Sequence, residues 1–79
     1  MYGLGPVERQ CRRALIASFP HAITIKDLLM WSYPHATTHP NWHRTNVHRG
    51  AKKWATVTND GYRNWWRANA ELERQILGK

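Results

Sequence analysis

The stretch from His39 to Arg67, HPNWHRTNVHRGAKKWATVTNDGYRNWWR, is the feature that most constrains the fold of this chain. Its first half places apolar residues at a helical period. Its second half sets β-branched and aromatic residues around Asn59-Asp60-Gly61, a strong turn sequence. A chain of 79 residues that gives this much length to one helix and one hairpin has room for a single core. We therefore expect one domain over residues 1–79. The stretch holds six of the twelve Lys and Arg residues (Arg44, Arg49, Lys52, Lys53, Arg63 and Arg67), and Asp60 is its only acid.

The spacing predicts a helix over about 40–54, with Thr38 as a cap and Pro40 tolerated in the first turn. On a helical wheel Val47, Ala51 and Trp54 share a narrow apolar face, flanked by His43 and Gly50. Asn41, Thr45, Arg49 and Lys52 occupy the opposite face, with His48 and Lys53 at its borders. An ordinary exposed helix mixes signs, with Glu and Lys four residues apart, but this one has no acid.

Two readings compete for the stretch that follows. Tyr62, Trp65, Trp66, Leu72, Ile76 and Leu77 fit one long helix starting at Asp60. Alternatively, 55–58 and 62–67 pair across Asp60-Gly61 as a hairpin over about 55–67. Ala55, Val57, Tyr62 and Trp66 then share one face, and Thr56, Thr58, Arg63, Trp65 and Arg67 the other. The β-branched and aromatic content favours the hairpin. Asn69 caps a last helix over about 69–78, whose Leu72, Ile76 and Leu77 pack back.

Upstream, Gly5-Pro6 opens a helix over about 6–18 with Val7, Cys11, Ala14, Leu15 and Ser18 on one side. Arg9, Arg12 and Arg13 fall away from that side, and Phe19-Pro20 stops the helix. Thr24 and Asp27 form a capping box for a short helix over about 24–32, with Ile25, Leu28 and Leu29 buried and Tyr33-Pro34 at its end. The segment 35–38 is a polar linker, and 22–24 is long enough for a strand stub that pairs with the hairpin.

Twelve basic against five acidic residues give a net charge of +7, which favours polyanionic partners. The single cysteine excludes an internal disulfide and fits a reducing cytoplasm. The N-terminal residues MYGLGPVERQ lack the n- and h-regions of a secretory signal. No apolar run approaches the ~20 residues that span a bilayer, so no membrane role is expected. His35, His39, His43 and His48 are spaced by four, four and five, but a zinc site of this size usually recruits paired cysteines. No metal, cofactor or small-molecule ligand is expected. Protonation of these histidines near pH 6 would add charge to the same region and tighten polyanion binding. The acids form no pair suited to catalysis, and no nucleophile or phosphate-loop signature occurs, so an enzyme is not expected.

Three helices followed by a two-stranded hairpin resemble a winged helix-turn-helix domain, mainly α with a small β-hairpin. The carriers are the capped helix TIKDLLMW, the helix NWHRTNVHRGAKKW, the turn TNDGY and the strand RNWWR. The resemblance covers about residues 6–67, and the chain departs from it in the longer 32–38 connection. It implies that helix 40–54 enters the major groove and that a wing with its tip at 59–61 touches the backbone.

The expected partner is therefore double-stranded DNA, in a small transcriptional regulator. Its contacts would be Asn41, Thr45, His48, Arg49, Lys52, Lys53, Arg63 and Arg67, with Arg12 or Arg13 on further phosphates. Trp65 either stacks on a sugar, lies against the arginines or packs on the last helix, whereas Trp42, Trp54 and Trp66 belong to the core or its edge. A homodimer through Leu72, Ile76 and Leu77 would enlarge the footprint. The rival readings are a protein-interaction adaptor using exposed Met30, Trp31 or Trp65, and a binder of structured RNA.

Overall fold

The computed structural model describes residues 5–78; residues 1–4 and 79 of the expected domain lie outside the described residues. In chain order the elements are α1 (Pro6–Ser18), α2 (Ile25–Ser32), α3 (Asn41–Lys52), β1 (Ala55–Asn59), β2 (Asn64–Ala68) and α4 (Ala70–Leu77). Residues 55–68 thus form a hairpin and do not extend the last helix. Local chemistry sets most of the boundaries. Pro6 stands in the first turn of α1, where a missing N–H costs nothing. Asp27 N–H donates to Thr24 Oγ1, and Thr24 N–H donates to Asp27 Oδ2, closing the capping box. Asn69 Oδ1 accepts from Leu72 N–H at the start of α4.

Two expected boundaries of α3 need correction. Pro40 occupies the N-cap position and no side chain caps the helix, so Thr38 does not serve. The helix stops at Lys52, because Trp54 N–H turns back to the Ala51 carbonyl and the chain swings Trp54 into the core.

The hairpin pairs antiparallel, with Val57 opposite Trp66 and Asn59 opposite Asn64. Its register differs from the expected one by two residues, since residues 60–63 all belong to the turn. A shift of two keeps every side chain on its face, so the sorting survives. Tyr62 and Arg63, however, leave the strand for the turn. Gly61 stands at φ 97°, the left-handed region that glycine enters without a Cβ penalty. At the other edge of β2, Ile23 and Trp66 exchange two backbone hydrogen bonds of 2.7 Å, so the 22–24 stub does pair with the hairpin.

Cys11, Leu15, Leu28, Leu29, Val47 and Leu72 are the largest fully buried side chains, and Trp54 and Trp66 close the core. At roughly 1.5–3 kcal/mol for each large apolar side chain buried, this cluster is the main source of stability. Helix α1 lies against both α2 and α3. Its contact with α3 is close: a Cβ on Gly50 would stand 3.0 Å from Glu8 Cα. Glu8 itself is buried, its Oε2 accepting a 3.0 Å hydrogen bond from Trp54 Nε1–H.

Two further expectations change, and Trp65 takes one of its expected places, beside an arginine. Trp42 is 59% exposed, not core, because Tyr33 and His43 already fill the space beside it. Leu72 is buried and Ile76 packs on the same cluster, which leaves Leu77 alone of the expected dimer face. Trp65 donates its Nε1–H to Asp60 in the turn and lies beside Arg63.

Candidate nucleic-acid interface

Helix α3 turns His43, Val47, Gly50 and Ala51 inward and leaves Asn41, Arg44, Thr45, His48, Arg49 and Lys52 exposed. No carboxylate stands among them. The centre of the outward face is Asn41, Thr45, Arg49 and Lys52, as a 100° step per residue requires. Thr45 donates its hydroxyl to the Asn41 carbonyl one turn back, which leaves its oxygen lone pairs facing outward. Arg49 and Lys52 stand exposed in the last turn of the helix, whose dipole favours cations.

On one flank of that face, a cleft of about 420 Å³ separates α3 from the start of α2 and from the hairpin turn. Lys26 of α2, Arg44 and His48 of α3, and Tyr62 and Arg63 of the turn line it, and none of its lining residues is acidic. Neither Arg44 nor Lys26 stands among the contacts expected from the sequence. Wheel position explains the first omission, for Arg44 borders the buried Ala51 and points sideways. Lys26 is distant in sequence and only the chain's return brings it to the cleft. His48 forms part of both walls, its ring set edge-on to Trp66 at 5.0 Å. Trp66 Nε1–H is buried with no hydrogen-bond partner among the described residues.

The turn holds Arg63 by a dense set of bonds. Asp60 Oδ1 accepts from the Tyr62 and Arg63 N–H groups, and Oδ2 accepts from Trp65 Nε1–H. The Trp65 bond, followed by the two backbone donors, lowers the Asp60 pKa to about 2. The carboxylate is thus spent on shaping the turn. The Arg63 guanidinium lies 5.9 Å from the Trp65 ring centroid and stays exposed.

Not every expected contact joins this surface. Arg67 lies on the opposite face of the hairpin from Trp66, where its Nε–H donates to the Pro20 carbonyl and its guanidinium lies over Phe19. Lys53 leaves the helix and places its ammonium 5.1 Å from the Trp54 ring centroid, as does Arg12 with its guanidinium. Arg12 also donates to Gln75 at 2.7 Å, binding α1 to the last helix. These three cations brace the fold.

His39 and His43 meet at the N-terminal end of α3. His43 stacks on Tyr33 at 3.7 Å with the rings nearly parallel, and its Nδ1 lies 3.3 Å from His39 Nδ1. Tyr33 accepts from Asn46 at its hydroxyl. Desolvation, and secondarily His39, lowers the His43 pKa, so His43 takes up a proton less readily than a free imidazole. No group of three or more potential metal ligands occurs among the described residues. No helix of the described residues is long and apolar enough to cross a membrane. Comparison of the chain with family models, with curated proteins and with solved structures finds no match.

Proposed function

We propose that the protein binds duplex DNA, with α3 in the major groove and the 60–63 turn against the backbone, as a small cytoplasmic regulator of transcription. One observation carries this reading: the exposed face of α3 has no acid and continues onto a turn whose own acid is hydrogen-bonded within the turn. At 12 residues α3 is about 18 Å long. A rod of this size fits a groove about 12 Å wide. Three helices, a paired 22–24 stub and a hairpin are the order of a winged helix-turn-helix domain, and on that reading the hairpin is the wing. Asn41 and Thr45 are placed to meet base edges and Arg49 to pair with guanine; Lys52 and Arg63 meet phosphates.

The test is fluorescence anisotropy with a labelled duplex and a matched single strand over a range of salt. Tight, duplex-preferring binding that weakens steeply with salt supports the reading, and no duplex binding at low salt sinks it. Against a selected site, Arg49→Ala weakens binding by about 1–3 kcal/mol and blurs base preference if the side chain reads a base. The rival is a protein adaptor, favoured by Met30 and Trp31, which stand 56% and 42% exposed on α2. That interface would be far less sensitive to salt.

A further inference from the structure

The cleft between α2, α3 and the hairpin turn gathers cations that no single segment of the chain announces. Lys26, Arg44 and Arg63 come from three separate elements, are all exposed, and converge on one space of about 420 Å³ without a lining acid. Mutual repulsion disfavours such a gathering unless something negative offsets it. Asp27 and Asp60 do not line this space: Asp27 accepts from the Thr24 N–H and hydroxyl, and Asp60 holds the turn. Tyr62, 94% exposed at the rim, presents an aromatic face beside the cations. Charged and polar walls suit a partly hydrated anion better than an apolar ligand.

We infer that this cleft seats a backbone phosphate of bound DNA, held by Lys26, Arg44 and Arg63, with Tyr62 against the adjoining sugar. The inference rests on the duplex-binding reading and divides the labour within it. The cleft supplies sequence-independent attraction and fixes the docking angle, while the outward face of α3 supplies discrimination. Lys26 and Arg44 thereby become binding residues, and Arg67, tied to Pro20, does not.

The test compares Lys26→Gln, Arg44→Gln and Arg63→Gln with the parent chain on two unrelated duplexes between 50 and 200 mM salt. Loss of one phosphate contact lowers the log–log slope by about 0.9, so each variant, which removes one of the three cations on that phosphate, loses up to roughly threefold less affinity over that range than the parent. The weakening is the same on both sequences. Single uncharged methylphosphonate linkages, moved along the duplex, then find a position that weakens the parent more than it weakens Arg44→Gln. Unaltered slopes in all three folded variants, or weakening confined to one sequence, overturn the inference while leaving duplex binding intact. If the parent binds no duplex, the function proposed above falls first. Amide NMR shifts on titration with inorganic pyrophosphate then decide the cleft: shifts at Lys26, Arg44 and Arg63 support a phosphate site, and their absence overturns it.

Discussion

Single residues decide how this molecule responds to acid. His43 lies buried against Tyr33, with His39 next to it, and its pKa is lowered from the usual imidazole value. The unfolded chain therefore takes up a proton at this residue before the folded chain does. Stability is complete above pH ~6.5 and declines as pH falls from there through the lowered value. Urea midpoints measured from pH 8 to 5 should drop on the acid side, and His43→Phe should flatten that drop. Mild acid thus works against the fold at His43, opposite to the tighter binding that histidine spacing suggests. Glu8 makes the same point about position. It looks like an ordinary first-turn acid in sequence, yet its carboxylate is the hydrogen-bond acceptor that lets Trp54 enter the core.

At the level of elements, the hairpin is held by its turn as much as by its strands. Asp60 collects three donors, Gly61 supplies the positive φ, and Asn59 side-chain oxygen accepts from Gly61 N–H. A Cβ at Gly61 would meet nothing within 4 Å, so any penalty there is conformational. Gly61→Ala should cost about 1 kcal/mol in a urea denaturation series, and Gly61→Asn less, since asparagine tolerates the left-handed region. An Ala variant as stable as the parent would mean that the turn relaxes at no cost. Asn69 plays the matching part for α4. It caps the helix and also donates to the Lys53 carbonyl, which ties the last helix to the end of α3.

The whole molecule depends on how closely α1 and α3 approach, because that contact sets the pose of the exposed α3 face. Gly50 permits it: an added Cβ would press on backbone atoms of Glu8 at 3.0 and 3.1 Å and on Val7 at 3.3 Å. Gly50→Ala gains up to ~1 kcal/mol of helix propensity but forces two helices apart. We expect a net loss of about 1–2 kcal/mol by thermal or urea unfolding, with weakened Glu8–Trp54 contact. A gain in stability would show that the interface yields freely. The domain measures 36 × 36 × 18 Å, so a shift between these two helices moves a large fraction of its surface.

The helices, the caps of α2 and α4 and the inward faces of α1 and α3 follow from the sequence alone, because 3.6-residue periodicity and capping chemistry act over a few neighbouring residues. The same holds for the acid-free face of Asn41, Thr45, Arg49 and Lys52. The hairpin's existence was legible in Thr56, Val57 and Gly61, but its register was not, since a shift of two preserves the pattern of faces. Only the tertiary structure decided which cations share a space. Lys26 joins Arg44 and Arg63 through a return of the chain that no local pattern encodes. Arg67, Lys53 and Arg12 look equally free in sequence, yet long-range contacts with Pro20, Trp54 and Gln75 engage them. Long flexible cations carry little local preference, so their partners are chosen by packing between elements distant along the chain.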